Sequence, residues 1–323
     1  MMKRRIGILT SGGDTPGMNT AIRAVVMAAE NADIEVLGIK RGYAGLLEGC
    51  VEVLRPKDVE GIGDRGGTVL KTARCVEFKT GEGRKAAVGV LRSHEVSGLV
   101  VIGGDGSFTG ARLLSEMGIP TIGIPGTIDN DLAYTDYTIG FDTAVNCVIG
   151  EMSRIRDTMN SHERICVIEV MGNRCGDITL YAGITGCAEH IILPELENNM
   201  DEMCDRITFA RARGKMTSLV LVAEGAGRSG DVAKFLRDKT NIDAKAVVLG
   251  YTQRGGAPTK RDRLLASRMG VCAVGLLASG RGNRLVGIRN DEIIDEDIQN
   301  ALAKKPTFNM KLYEEYKIIC GTA

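Results

Sequence analysis

Short apolar segments alternate with helical segments along most of the chain, and this alternation constrains the fold more than any other feature of the sequence. The apolar segments are rich in Val, Ile and Leu and read RIGILTS, IEVLGIK, GLVVIGG, IPTIGIP, RICVIEVMG, SLVLVAEG and KAVVLG. Such runs are typical of parallel strands that are buried on both faces. The segments MNTAIRAVVMAAEN and TKRDRLLASRMGVCAVGLLASG repeat apolar residues every three or four positions, as amphipathic helices do. The sequence therefore predicts an α/β protein whose parallel sheets carry helices on both faces.

Length, charge and cysteine usage restrict the class of protein. The 323 residues suffice for two domains of ordinary size. No stretch reaches the roughly 18 consecutive apolar residues of a membrane span, and 41 Lys and Arg balance 41 Asp and Glu, so we expect no membrane segment and no nucleic-acid partner. The nine Cys lack metal-ligand spacing and the N-terminus turns polar too early for an export signal. We therefore expect reduced thiols in a cytoplasmic protein.

Three of the predicted strand-to-helix turns are dense in glycine. They are TSGGDTPGMN at residues 10–19, VIGGDGSFTG at 101–110 and VLGYTQRGGAP at 248–258. Glycine lets backbone N–H groups approach an anion, and a helix N-terminus adds a favourable dipole. Two of the turns also hold an Asp, which indicates a phosphate site with a divalent cation, whereas a tight connection without a ligand is the alternative. Neither the P-loop pattern nor the dinucleotide glycine pattern occurs at these turns.

The segment PGTIDND, at residues 125–131, carries two acids two positions apart after an apolar run. In an extended segment, side chains at i and i+2 point the same way, so Asp129 and Asp131 should face one space. Phosphoryl transfer needs Mg²⁺ and a base aligned on the attacking hydroxyl, and Asp105 with Asp129 or Asp131 supplies suitable oxygens. The alternative is that Asp129 only caps the helix that follows or makes an Asx-turn.

The motifs GGDTPGMN, GGDGS, PGTIDND, GFDTA, SHERI, EVMG and GYTQRGG occur in the order and at the spacing of bacterial ATP-dependent 6-phosphofructokinases, and the chain resembles that family over most of its length. The resemblance implies two Rossmann-like domains between which the chain crosses more than once. An ATP-binding domain would comprise residues 1–140 plus 253–305, and a sugar-phosphate and effector domain would comprise residues 141–252 plus 306–323. It also implies a glycolytic kinase that uses ATP, Mg²⁺ and fructose 6-phosphate, and a homotetramer with shared active sites.

The resemblance assigns roles residue by residue. Asp129 matches the general base that takes the proton of the sugar C1 hydroxyl, with Thr127 and Asp131 beside it. The positions that match the ATP site, with Asp105 on Mg²⁺, are Gly13, Tyr43, Arg74, Cys75, Gly104, Asp105, Gly106 and Ser107. The positions that match the sugar-phosphate site, with Arg164 reaching in from the adjacent subunit, are Arg164, Met171, Gly172, Asn173, Glu224, Lys245, Tyr251 and Arg254.

Several positions depart from the family pattern. Asn173 and Lys245 stand where the family usually has Arg, and Tyr251 replaces a usual His. Lys keeps the charge but lacks the planar fork of Arg, and Tyr offers a single neutral hydroxyl, so sugar-phosphate affinity and specificity stay open. Relatives that use pyrophosphate carry Asp where Gly106 stands and Lys where Gly126 stands, so this glycine pair favours ATP as the donor.

The resemblance also implies a second site for ADP or phosphoenolpyruvate. The residues that match its basic and metal-binding positions are Arg23, Arg156, Glu189, Arg213 and Lys215. Three further positions do not match, because they carry Met27, Pro56 and Gly61. Allostery requires an effector to bind two states differently, and each missing charged contact reduces that difference, so we expect weak or altered regulation. A merely solvated basic surface is the alternative.

Three other functions compete with this hypothesis. A non-catalytic sugar-phosphate or nucleotide sensor of the same fold would be expected to lack the base or the metal ligand, yet Asp105, Thr127, Asp129 and Arg254 are all present. A kinase of the same fold with another sugar-phosphate preference is compatible with the departures noted above. A nicotinamide-dependent oxidoreductase is disfavoured by the missing glycine fingerprint.

Overall fold

A computed structural model describes residues 3–320 of the chain. The strands are β1 (Arg4–Thr10), β2 (Ile34–Ile39), β3 (Val51–Leu54), β4 (Val96–Gly103), β5 (Thr121–Pro125), β6 (Ile165–Val170), β7 (His190–Ile192), β8 (Ser218–Ala223), β9 (Ala244–Val248), β10 (Arg284–Arg289) and β11 (Glu292–Asp297). The helices are α1 (Met18–Asn31), α2 (Gly42–Glu48), α3 (Gly81–Ser93), α4 (Asp105–Glu116), α5 (Phe141–His162), α6 (Asp177–Thr185), α7 (Met200–Ala212), α8 (Ser229–Thr240), α9 (Lys260–Ala278), α10 (Ile298–Ala303) and α11 (Met310–Ile319). Within residues 3–320, no helix combines the length and the apolar character that crossing a membrane requires.

All seven apolar segments predicted as strands are strands, namely β1, β2, β4, β5, β6, β8 and β9, and the two quoted helical segments are α1 and α9. The prediction missed β3, β7, β10 and β11. β7 has only three residues, and β11 reads EIIDED, so neither offers a long apolar run. β3 and β11 close the two edges of the larger sheet by antiparallel pairing, where one side has no neighbouring strand.

The larger sheet has the strand order β11-β10-β5-β4-β1-β2-β3, and its central strands are parallel. The chain winds in opposite directions from β1, because β1 pairs with β2 on one side and with β4 on the other. Hydrophobic clusters cover both faces of this sheet, with α1 and α9 on one face and α2, α3 and α4 on the other. In doubly wound sheets, ligands bind at the carboxyl ends of the strands where the winding direction changes, which here lies between β1 and β4.

The smaller sheet is wholly parallel, with the order β7-β8-β6-β9. Its central strands β6 and β8 are buried along their full length, as predicted. The prediction of a strand buried on both faces is wrong for β9, in which Lys245, Ala246 and Val248 are exposed. β9 is an edge strand that pairs only with β6 among the described strands, so part of its surface has no neighbour within this chain.

The described chain separates into two compact units. The first takes in the described residues up to Ile128, then Leu132–Asp142 and Arg254–Pro306, and contains the larger sheet. The second comprises Asp129–Asp131, Thr143–Gln253 and the described residues from Thr307 onward, and contains the smaller sheet. We predicted one domain at residues 1–140 plus 253–305 and another at 141–252 plus 306–323. That these segments are domains with those bounds stays a prediction. Their outermost residues, 1–2 and 321–323, lie outside the described residues.

Candidate active site

The turn after β1 brings a glycine pair and an arginine together in the first unit. Gly12 has φ +89°, a left-handed conformation that glycine adopts without strain. A Cβ added to Gly13 would lie 2.4 Å from Nη1 of Arg254, so a side chain at this position would displace the guanidinium. The same Nη1 donates to the carbonyl oxygen of Asp14 at 3.3 Å. Arg254 therefore adds a fixed positive charge to the glycine turn, and α1 begins just beyond it at Met18.

The turn after β4 lies against the turn after β1. The backbone N–H of Ser11 donates to the carbonyl of Ile102 at 3.0 Å, and a Cβ on Gly103 would lie 2.4 Å from the carbonyl oxygen of Ser11. The hydroxyl of Ser107 lies between the turns, 2.5 Å from a Cβ placed on Gly103 and 3.4 Å from one placed on Gly12. The two glycine-rich motifs thus meet where the winding of the sheet changes direction, as predicted for a ligand site.

The first turn of α4 carries an exposed acid and is open at Gly106. Gly104 stands at the N-cap, and Asp105 and Gly106 are exposed in the first turn. A Cβ on Gly106 would meet nothing within 4 Å. Mg²⁺ usually takes one or two carboxylates and completes its shell with water and phosphate oxygens. One exposed carboxylate at a helix N-terminus, beside open space, fits that donor set.

The other predicted ATP-site residues differ in their exposure. Arg74 is exposed and Cys75 is half-buried against a hydrophobic cluster. Tyr43 is buried, its ring stacks on Phe78 with centroids 4.0 Å apart, and its hydroxyl donates to the carbonyl of Ser107 at 2.7 Å. Burial raises the pKa of Tyr43 well above its usual value. Tyr43 therefore packs beneath the first turn of α4 and is bonded to Ser107 there. Its contact with ATP stays a prediction.

The segment after β5 carries the two acids singled out in the sequence. Thr127 is buried, and its carbonyl accepts from the Thr138 hydroxyl at 2.6 Å. Asp129 and Asp131 are half-buried in a loop of the second unit. The next helix begins only at Phe141, so Asp129 does not stand at its N-cap. The capping alternative is therefore wrong for Asp129.

The carboxyl ends of β6 and β8 bring together three residues predicted for the sugar phosphate. Glu224 follows β8, and its Oε1 accepts from the backbone N–H groups of Gly172 at 3.1 Å and Asn173 at 2.8 Å. Gly172 has φ +145° and Asn173 has φ +56°, a left-handed conformation that Asn tolerates better than most residues. Asn173 therefore suits the left-handed backbone at this position. The N–H of Met171 donates to Oε1 of Gln253 at 3.1 Å.

Arg164 and Lys245 lie side by side at the edge of the smaller sheet. Nε of Arg164 lies 2.8 Å from Oδ2 of Asp243, and Nζ of Lys245 lies 3.1 Å from Oδ1 of the same carboxylate. The hydrogen bond from Lys245 and the charge of Arg164 hold the pKa of Asp243 below its usual value. Tyr251 projects from the nearby short helix Gly250–Arg254 and is 84% exposed. Arg164, predicted to reach into an adjacent subunit, and Lys245, predicted for the sugar phosphate, are thus neighbours on an accessible surface.

Three of the five predicted effector residues make contacts within the second unit. Nη2 of Arg156 donates to the carbonyls of Gly186 at 2.9 Å and Cys187 at 2.7 Å. Glu189 pairs with Nζ of Lys215 at 3.0 Å and accepts from the N–H of Leu219 at 2.7 Å. The remaining two are exposed: Arg213 lies over the ring of Phe209, and Arg23 lies on α1. Intramolecular contacts therefore already engage Arg156 and Lys215.

Sequence reasoning missed several residues that support the site. Gln253 is fully buried and joins the end of β6 to the helix after β9, through Met171 and the carbonyl of Gly250. Asp243 pairs with Arg164 and Lys245, and Asp177 accepts from the side chain of Asn130 at 2.8 Å. Gln253 lies inside the GYTQRGG motif, so its position in the sequence could have identified it as a site residue. Asp177 and Asp243 resemble ordinary acids beside a helix or strand, so no sequence pattern distinguished them.

Comparisons with known proteins agree with this arrangement. The sequence profile of the family described as "Phosphofructokinase" matches residues 5–277. The ATP-dependent 6-phosphofructokinase of Clostridium tetani (strain Massachusetts / E88) is 56% identical over 316 residues, which cover 98% of this chain and 99% of that protein. The ATP-dependent 6-phosphofructokinase of Clostridium botulinum (strain Loch Maree / Type A3) is 54% identical over 311 residues, which cover 96% of this chain and 98% of that protein.

A solved structure supports the same relationship at the level of the fold. Phosphofructokinase from Saccharomyces cerevisiae superposes with a TM-score of 0.92 at 33% identity, over 98% of this chain and 50% of that chain. This chain therefore spans about half the length of the yeast chain. The profile covers well over half of the sequence, and the clostridial relatives match nearly all of it. The chain belongs to the phosphofructokinase family.

Proposed function

We propose that this protein transfers the γ-phosphoryl group of ATP to the C1 hydroxyl of fructose 6-phosphate, giving fructose 1,6-bisphosphate and ADP. The observation that carries the proposal is the contact between two glycine turns at the change of winding between β1 and β4. Arg254 lies against the first turn, and Asp105 is the first residue of α4 after the second turn. This arrangement suits a chain of phosphates and a metal ion. The family relationship supports ATP as donor and fructose 6-phosphate as acceptor.

The reaction assigns a task to each group. The C1 hydroxyl oxygen forms a bond to the γ-phosphorus while the bond from that phosphorus to the bridging oxygen breaks and ADP departs. Asp129 takes the hydroxyl proton as general base. The backbone N–H groups of the glycine turns bind phosphate oxygens of ATP. Arg254, predicted for the sugar-phosphate site and lying against Gly13, adds positive charge that stabilises the transition state. Asp105 would hold Mg²⁺, which when bound neutralises charge on the phosphates.

An assay of ADP formation tests this function directly. We expect activity with fructose 6-phosphate and ATP that disappears when Mg²⁺ is removed by a chelator and returns when it is restored. A panel of other sugar phosphates measures the specificity left open by Asn173, Lys245 and Tyr251. A different sugar phosphate giving the highest kcat/KM would replace fructose 6-phosphate in the proposal and leave the reaction class intact. Sugar-phosphate binding without ADP formation would identify a non-catalytic relative.

The choice of phosphoryl donor gives a specific prediction at Gly106. Wild-type protein should use ATP and not pyrophosphate. Gly106→Asp should fold normally, because a Cβ there meets nothing within 4 Å, and should lower kcat/KM for ATP. The expected loss is about 10-fold or more, since the added carboxylate repels the nucleotide phosphates. Steady-state kinetics with each donor measures it.

Gly89→Asp is a matched control for that variant. Gly89 is an exposed helical glycine in the same unit, and a Cβ there also meets nothing within 4 Å. The control adds the same charge away from the donor turns and should leave kcat/KM for ATP unchanged. Comparable wild-type rates with pyrophosphate and ATP, or an equal loss in both variants, would contradict the donor assignment.

We further propose a homotetramer in which each sugar-phosphate site takes Arg164, together with Lys245, from a neighbouring subunit. The accessible edge strand β9 and the shared Asp243 carboxylate support this proposal, because they keep both cations near the surface and near each other. An arginine in such a position binds phosphate by charge-assisted hydrogen bonds.

Regulation by ADP or phosphoenolpyruvate should be weak. Arg156 and Lys215 are engaged within the chain, and Met27 is exposed where relatives often carry a further Arg. We expect either effector to shift the apparent affinity for fructose 6-phosphate less than about 5-fold, the low end of ordinary allosteric coupling. Titration of each effector at sub-saturating fructose 6-phosphate measures the shift. A hundredfold shift would show that the five matched residues suffice for strong coupling.

A further inference from the structure

The loop that carries the two acids has an unusual backbone at its centre. Asn130, between Asp129 and Asp131, has φ +54°. Most residues avoid this left-handed region, whereas Asn and Gly enter it at low cost. The conformation of this one residue determines the direction in which both flanking carboxylates leave the backbone. A contact that holds Asn130 therefore bears on both acids.

Asn130 is held by the first residue of α6. Its Nδ2 donates to Oδ2 of Asp177 at 2.8 Å. Burial raises the pKa of the Asp177 carboxyl, the hydrogen bond from Asn130 opposes that rise, and the charges of Glu195 and Asp131 add to it. A carboxylate in surroundings that disfavour its charge adds little to the stability of the fold. Its contact with Asn130 therefore indicates a role other than stabilising the fold.

The two residues that precede Asp177 are bonded to neighbouring segments, one of which carries Gly172, predicted for the sugar phosphate. The N–H of Gly176 donates to Oε1 of Glu195 at 2.7 Å, and the N–H of Cys175 donates to the carbonyl of Gly172 at 2.8 Å. A Cβ on Gly176 would lie 2.6 Å from Oε2 of Glu195 and 2.8 Å from a side-chain carbon of Leu193, so this turn is tightly packed. Asp177 thus joins the acid-bearing loop to a closely packed turn of the second unit.

We propose that Asp177 is a positioning residue for phosphoryl transfer, which holds Asn130 in its left-handed conformation and thereby aims Asp129 and Asp131. The inference rests on the proposed function of Asp129 as the base. In this proposal the hydrogen bond from Asn130 to residue 177 positions the loop, and the charge of Asp177 does not. A neutral acceptor at residue 177 would therefore hold the Asn130 amide as well. Misplacing a reacting group by about 1 Å can cost up to 100-fold in rate, so this single contact matters for turnover.

Two substitutions at residue 177 separate the hydrogen bond from the charge. Asp177→Asn keeps an acceptor oxygen for Asn130 and should retain most of kcat. Asp177→Leu removes the acceptor and should lower kcat about 10-fold, while KM for fructose 6-phosphate changes less than about 2-fold. Asp201→Leu is the matched control, because Asp201 is an exposed first-turn acid of α7 in the same unit, paired with Lys239. The control should leave kcat unchanged.

A second variant tests the same contact from the other side. Asn130→Gly preserves the left-handed backbone and removes the amide, so it should lower kcat as Asp177→Leu does. The double variant Asn130→Gly/Asp177→Leu should be no slower than either single variant, because both remove one interaction. Asn130→Gly also keeps the test decisive if Asp177→Leu fails to fold.

Several outcomes would overturn the inference. They are unchanged kcat in Asp177→Leu or Asn130→Gly, losses that add in the double variant, a loss confined to KM, or an Asp177→Asn variant as slow as Asp177→Leu. Asp129→Asn distinguishes this failure from failure of the proposed function. If Asp129→Asn is inactive while Asp177→Leu is fully active, only the positioning role is wrong. If Asp129→Asn stays active, the assignment of the base is wrong.

Discussion

Asp129→Asn should fold like the unchanged protein and lose most of its turnover, with kcat falling about 10²- to 10⁴-fold. The amide cannot take the proton of the attacking hydroxyl, yet it has nearly the size and shape of the carboxylate. Binding of fructose 6-phosphate and ATP should change much less, because the proton moves only in the transition state. Steady-state kinetics and thermal unfolding of the same preparation measure both quantities.

The control for this variant is Asp238→Asn, which removes an exposed carboxylate on α8 in the same unit. It should leave kcat and the melting temperature unchanged. If Asp129 served only the structure, its amide variant would instead lose roughly 1 kcal/mol of stability, as caps and turns do, and keep its turnover. Retained kcat with a lowered melting temperature would therefore remove Asp129 from the mechanism.

Arg164→Ala should weaken the apparent affinity for fructose 6-phosphate about 10- to 150-fold, with a smaller effect on KM for ATP. A charge-assisted hydrogen bond contributes about 1.5 to 3 kcal/mol, which corresponds to that range of affinity. Arg154→Ala, which removes a cation from the exposed face of α5, should leave the affinity unchanged. KM and equilibrium binding of the sugar phosphate measure the difference between the two variants.

Mixing two defective variants tests whether sites are shared between subunits. Hybrids of Arg164→Ala and Asp129→Asn chains would contain some sites in which neither defect is present, so activity at low fructose 6-phosphate should exceed that of either variant alone. Each variant incubated with itself is the control. No gain in activity, despite demonstrated exchange of subunits, would mean that each chain builds its own sugar-phosphate site.

Much of the fold follows from local pattern. Seven apolar runs became strands, and MNTAIRAVVMAAEN became a helix with the predicted ends, because burial on both faces of a sheet and on one face of a helix requires these periodicities. Three of the four strands that pattern missed are three residues long, polar, or at a sheet edge, where a full apolar run is unnecessary. The fourth, β10, is an interior strand whose apolar run, LVGI, is short and lies between two Arg. Edge position also explains why β9 is exposed although its sequence resembles that of a buried strand.

The candidate site divides in the same way. The glycine turns and the acids that follow strands could be identified as site candidates from the sequence. A parallel sheet brings the carboxyl ends of its strands to one edge, so residues directly after strands are expected at a ligand site. The residues that contact each candidate could not be identified from the sequence. Tyr43 matched a nucleotide position, yet its ring is stacked on Phe78 and its hydroxyl is bonded to Ser107.

By itself, the sequence determined seven of the strands, the glycine turns and the residue types that phosphoryl transfer requires, because each depends on residues close together in the chain. Only the tertiary structure decided that Arg254 lies across Gly13, that Asp243 joins Arg164 to Lys245, and that Asp177 holds Asn130. Most of these pairs are separated by dozens of residues or more. Burial and hydrogen-bond partners are set by the segments that packing brings together, and no local pattern records which distant segments those are.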